Sequence, residues 1–196
     1  LETPGKTAAL VTPDRALARR VAMELRRWNI AIDDSGGQPL SLTPPLTFLR
    51  LVAEAIVDDL APVSLLACLK HPFAALGLEP RHLRARVRAL EHALLRGPRP
   101  TPGMAGLRAA LSGVRHQQEE GGRRGKDIPG GLDDLIDRLE KALAPFLTLM
   151  TENTAALDTL LHAHISCTEH MAATVDKEGA ARLWSGEAGE AAADFM

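Results

Sequence analysis

The chain has 196 residues, 45% of them apolar, and a net charge of −2, which is enough to bury the core of one domain or one and a half. Nothing in it spans a membrane, two cysteines in apolar helical contexts exclude a secreted disulfide framework, and 3% aromatics with no tyrosine are poor material for a base-stacking platform. Buried free thiols in a cytoplasmic protein are the expectation.

The first predicted element is a short buried strand, Ala8-Ala9-Leu10-Val11-Thr12, bounded by Gly5 and Pro13. A helix follows, with Thr12 as its N-cap and Pro13 in its first turn. Leu17, Val21, Leu25 and Trp28 recur at spacings of four, four and three and share one face, while Arg15, Arg19, Arg26 and Arg27 fall elsewhere. Asn29 ends the helix, Ile30-Ala31-Ile32 reads as a second strand, and Asp33 to Gly37 form a turn whose glycines permit positive φ. A helix from about Pro45 to Leu60 buries Leu49, Val52, Ala53, Ile56 and Leu60.

Beyond it the chain is helical and divided by its prolines and glycines. A helix with the stripe Leu83, Val87, Leu90 and Leu94 ends at Pro98, Pro100 and Pro102, and another spans about Met104 to Glu120. Gly121, Gly122 and Gly125 form a connector. Leu132, Leu135, Ile136, Leu139 and Leu143 mark the best helix of the chain, which Pro145 is expected to kink or interrupt. A helix from about Thr154 to Thr174 follows, then a shorter helix, a turn and a last helix between Asp176 and Met196. With no initiator Met and a last helix that stops at Met196, both ends read as cut, so the chain is expected to be an internal fragment.

The sequence TPDRALARRV, followed by DDSGGQPL, TPPLTFLRLV and LLACLKHP, resembles the AddB-like subunit of bacterial helicase-nucleases, of the alphaproteobacterial type. More distantly it is similar to the second RecA-like domain of UvrD-type superfamily-one helicases. The resemblance covers residues 7–75 best, and the LW-GEAGE segment around Leu183 to Glu190 also fits. UvrD-like helicases usually place an arginine directly after the first strand; Pro13 stands there, and Arg19 takes the place of the pattern's helix arginine. The resemblance implies a mainly α chain with a small α/β element: residues 1–44 as the strand-helix-strand end of a RecA-like helicase domain, residues 45–196 as a helical insertion domain truncated at its C-terminal end. It implies a parent that processes double-strand breaks for recombinational repair with ATP, magnesium and an iron-sulphur cluster, on DNA and with an AddA-like motor subunit. The fragment itself is expected to hold no cofactor and to be inactive, since the nuclease carboxylates and cluster cysteines are not in it, and two cysteines cannot hold a four-thiolate cluster.

Charge is segregated along the chain. Residues 81–126 hold eleven basic residues against Glu91, Glu119 and Glu120, and residues 127–196 hold thirteen acidic residues against Arg138, Lys141, Lys177 and Arg182. A basic block of this kind is the electrostatic mark of nucleic-acid contact. Arg81, Arg84 and Arg88 lie near one another beside the buried stripe of their helix and can track phosphates, so they join Arg15 and Arg19 as DNA-contact candidates. The alternative is that the arginines form a solvated face or pair with the acidic half.

Three constellations imitate active sites. Pro4-Gly5-Lys6-Thr7 imitates the end of a P-loop but lacks its first glycine and precedes a strand. His162, His164, Cys167 and His170 have zinc-ligand residue types, but helix geometry sends His164 into the apolar face and His162 and His170 away from it, so His164 is expected to be a hydrogen-bonded core histidine. Asp133, Asp134 and Asp137, like Asp58 and Asp59, read as solvated helix surface. The rival readings are a free-standing helical interaction module, paired as a homodimer, and a small nucleotide-dependent transferase using Lys6 and Arg15 on phosphate.

Overall fold

The computed structural model describes residues 7–121, 130–152 and 154–196. The Gly-Lys-Thr tripeptide's Gly5 and Lys6, and the connector residues Gly122 to Lys126, lie outside them. The chain divides into two compact units, Leu1–Pro39 and Leu40–Met196, and it is mainly helical.

In the first unit, α1 spans Arg15–Arg27. Its start is fixed by Asp14, whose carboxylate accepts from the amides of Ala16 at 2.8 Å and Leu17 at 3.2 Å. Thr12, the expected cap, instead accepts from the Asp14 amide at 3.1 Å, so the helix begins two residues later than Pro13 suggests. Its end follows the sequence. Asn29 takes a left-handed φ of 55°, its amide bonds the Arg26 carbonyl, and the Ile30 amide bonds that of Leu25. These are the two hydrogen bonds of a Schellman motif.

The expected small α/β element is corrected here. Among the described residues there is no strand; residues 8–12 and 30–32 are extended but join no ladder. A strand exists only through hydrogen bonds to a neighbour, and two short segments with one helix offer too little apolar surface to hold a sheet together. Accordingly α1 buries no residue, Val11 is 94% exposed and Trp28 77%.

Among the described residues, the second unit builds one core from eight helices. A 3₁₀ turn at Leu40–Leu42 leads into α2 (Pro44–Val57), followed by α3 (Pro62–Leu69) and α4 (Pro80–Leu90). Each of these three helices opens on a proline, whose missing N–H costs nothing at that position. α2 ends earlier than the apolar run suggests, because Asp59 adopts φ 52° and the amides of Asp59 and Leu60 close a second Schellman motif on the carbonyls of Ile56 and Ala55. Phe48 and Val52 are wholly buried on its inner side.

α4 runs directly into a π-helical turn, Glu91–Leu95, closed by the Arg96 amide on the Glu91 carbonyl at 3.0 Å. The wider turn lets consecutive residues Leu94 and Leu95 both reach the core after Leu83, Val87 and Leu90. α5 spans Gly103–Gly121 and α6 spans Leu132–Met150. α6 is the centre of the unit, packing on α4, α5 and α7 and burying Leu132, Leu135, Ile136, Leu139, Ala142, Leu143 and Phe146. It continues through Pro145. That proline sits on the exposed side, where water can satisfy the carbonyl left without a donor, while the buried stripe holds both halves of the helix in line.

α7 (Leu157–Ala172), α8 (Gly179–Leu183) and α9 (Gly186–Phe195) complete the unit. α8 crosses the end of α7 so closely that a Cβ on Gly179 would lie 1.7 Å from the Glu169 carbonyl oxygen. The loop between α3 and α4 is pinned to this corner. The amides of Ala75 and Leu76 bond the Met171 carbonyl at 2.8 and 3.0 Å, Arg182 donates to the carbonyls of Phe73 and Ala172, and Arg138 donates to that of Leu76. This loop sets the angle at which α4 leaves α3, and hence the shape of the surface between them.

Candidate functional site

The basic block does not present all its charge to solvent. α6 faces it with a row of carboxylates. Arg86 pairs with Asp134, Arg115 with Asp133, and Arg108 with both Asp137 and Glu140; Arg138 joins Asp134 from within α6 at 2.9 Å. The hydrogen bonds from Arg138 and Arg86 hold the Asp134 carboxyl below the usual carboxylate range, and the Arg108 guanidinium is correspondingly raised by Glu140 and Asp137. The three aspartates at the start of α6, expected to be solvated surface, are therefore counter-charges fastening α4 and α5 to the central helix. Two of them also lie in its first turn, where a negative charge suits the helix dipole.

The candidate residues separate under this pairing. Arg81 stays 76% exposed, 3.4 Å from Glu79. Arg84 and Arg88, one helical turn apart on α4, are exposed and make no hydrogen bond or ion pair among the described residues. In the first unit, Arg15 is engaged, bonding both oxygens of Asp34 at 2.9 and 3.0 Å and also the Gly37 carbonyl. It braces the start of α1 against the following turn, with Gly36 beneath its guanidinium. Its side chain stays 42% exposed. Arg19 remains exposed on α1.

Arg84 and Arg88 open onto a hollow of about 530 Å³ between the end of α3 and the turn that follows α4. Its floor is the buried side chains of Leu69 and Val87, and its rim adds Lys70, Glu91, His92 and Arg96. Glu91 organises that rim. One carboxylate oxygen accepts from Lys70 Nζ at 2.7 Å, the other from Arg96 Nε and Nη2 at 3.2 and 3.0 Å. Its side chain is only 15% exposed, and the bonds to Lys70 and then Arg96 hold its carboxyl below the ordinary range. Four permanent cations against one carboxylate leave a local surplus of three positive charges. Such a surface suits an anion with several oxygens.

Lys70, Glu91 and Arg96 were not singled out by the sequence. Glu91 and Arg96 are five residues apart, a spacing that meets on a π turn and not on an α-helix. Lys70 joins them only through the fold.

The histidine and cysteine constellation resolves as helix geometry requires. His164 Nε2 lies 2.8 Å from the Leu49 carbonyl oxygen and its ring stacks on Phe146 at 5.1 Å between centroids. Burial lowers its pKa, against the raising effect of the Leu49 carbonyl. His162 and His170 turn back onto the carbonyls of Asp158 and Ser166, one turn earlier in their own helix, at 2.8 and 2.6 Å. Cys68 and Cys167 are free and buried, and burial pushes the Cys167 thiol up to about 12. These thiols are inert packing groups. No group of three metal-ligating side chains is gathered among the described residues, and no helix there is long and apolar enough to cross a membrane.

Comparison of the chain with protein-family models, curated proteins and solved structures finds no match.

Proposed function

We propose that this chain is an internal, catalytically silent segment of an AddB-type helicase-nuclease subunit acting on broken DNA ends in the cytoplasm, and that its helical unit contacts the DNA backbone. The resemblance over residues 7–75 supports the parentage. The observation that carries the contact is the selective pairing of the basic block: α6 takes Arg86, Arg108 and Arg115 and leaves the row Arg81, Arg84 and Arg88 open. In the parent, the extended apolar segments 8–12 and 30–32 would join a RecA-like sheet, and the stripe of Leu17, Val21, Leu25 and Trp28 would cover it. ATP, magnesium and an iron-sulphur cluster would belong to other parts of that protein, and an AddA-like motor subunit would be its partner.

The test is the affinity for a duplex oligonucleotide at low salt, compared between the wild type and the Arg81→Ala/Arg84→Ala/Arg88→Ala triple variant. The variant should bind more weakly and lose about two to three units of salt slope, since each lost phosphate contact removes about 0.9. Equal affinity would refute DNA contact through α4. A second reading, a free-standing interaction module that dimerises, is favoured by the bare apolar face of α1, where Leu17 is 42% and Trp28 77% exposed. A concentration-dependent dimer in sedimentation equilibrium, lost on Trp28→Ser, would support it.

A further inference from the structure

We infer that the hollow between α3 and the π turn is a built seat for consecutive phosphates, in which Glu91 is a positioning residue that holds Lys70 and Arg96 ready. This inference deepens the DNA-contact reading and rests on it for the identity of the ligand, a nucleic-acid backbone. The seat itself stands on geometry. Lysine and arginine side chains are long, and ordering them on a ligand normally costs about 0.5–1.5 kcal/mol each. Here the cost for two of the four is met in folding, because Glu91, itself only 15% exposed, fixes both ends. The carboxylate does not exhaust them. Lys70 uses one of its three donors on Glu91, and Arg96 uses two of its five. Arg84 and Arg88 keep all of theirs.

The π turn is what makes the arrangement. It brings Arg96 back over Glu91 at a five-residue spacing, so cations from α3, α4 and the turn's end surround one depression. An unbroken α-helix would carry residue 96 onto a different face from residue 91. The apolar floor of Leu69 and Val87 keeps water from competing beneath the bound group, and the surplus of three charges sets the sign of the ligand.

The probe is inorganic tripolyphosphate, which has adjacent phosphates but neither sugar nor base, measured by calorimetry beside a dodecamer of thymidylate. Arg84→Ala, Arg88→Ala, Lys70→Ala and Arg96→Ala should each weaken tripolyphosphate binding about fivefold, as expected for one charge-assisted contact at an exposed site. Arg99→Ala removes the same charge three residues after Arg96, from an exposed residue that does not line the hollow and has no partner among the described residues, and should change affinity less than twofold. Arg84 and Arg88 hold nothing in the fold, so their variants decide the matter even where Lys70→Ala loosens the rim. Glu91→Gln should raise the salt slope by about one unit, because one opposing charge is gone. No binding of tripolyphosphate, or an Arg99→Ala loss equal to the others, would overturn the seat. Tripolyphosphate binding with the expected pattern but no binding of the oligonucleotide would keep the seat and refute the DNA reading.

Discussion

α1 and α6 carry the same kind of pattern, an apolar stripe at spacings of three and four with arginines and carboxylates beside it, yet one buries seven residues and the other none. The difference lies outside both helices. α6 is met by α4, α5 and α7, each offering a complementary stripe and, from α4 and α5, arginines opposite its acids. Among the described residues of the first unit, α1 has two extended segments and a turn for company, and Arg15 ties it to Asp34 and Gly37. A periodic stripe marks a face that will be covered when a partner exists. It does not supply the partner.

The sharpest way to break this comparison is to delete equivalent side chains. Leu139 is 1% exposed at the centre of α6, and Leu17 is 42% exposed on α1. Leu139→Ala should lower unfolding stability by about 2–5 kcal/mol, the usual range for a buried leucine, whereas Leu17→Ala should stay within about 0.5 kcal/mol of wild type. Urea titrations followed by helical circular dichroism give both values, and equal losses would show that the face of α1 is covered after all.

Acid should separate the two units next. All seven histidines lie after residue 70, and two of them, His71 and His164, are held neutral by burial. Because the folded-state pKa is depressed in each, the unfolded chain binds a proton first as the pH falls. Stability is therefore complete above about pH 6.5 and declines below it until the folded-state pKa is passed. The urea midpoint should fall between pH 7.5 and 5, and His164→Gln should lower it at pH 7.5 while flattening the decline. An unaltered decline in the His164 variant would remove that residue as its source.

What could be read beforehand was local. The stripes of α4 and α6, the left-handed stop at Asn29 and the inward His164 all follow from spacing within one helix. What could not be read depended on distant partners. The strand expectation for residues 8–12 and 30–32 is a statement about apolar, β-branched residues, and it becomes a strand only when another strand lies alongside. The match of Arg86 to Asp134 joins residues 48 apart, and with Arg108 and Arg115 it divides the basic block into arginines matched by α6 and arginines left open. The hollow was hidden for the same reason. Arg84 and Arg88 are visible as a pair on one helix, but Lys70 comes from another element and Arg96 from an irregular turn that no periodic template contains.

The central claim is that α6 takes Arg86, Arg108 and Arg115 out of the basic block and leaves Arg84 and Arg88 to a small cationic seat. The hollow carries a surplus of three positive charges, from Lys70, Arg84, Arg88 and Arg96 against Glu91, and Arg81 lies exposed on the same helix as two of them. The salt dependence of duplex DNA binding counts the charges that meet phosphate, with a slope in log affinity of about 0.9 per neutralised phosphate. The account predicts a slope of about −4 between 25 and 200 mM salt, from the hollow's surplus of three charges and Arg81. A slope of about −7 would mean that cations well beyond the hollow and Arg81 meet phosphate, and it would contradict the account.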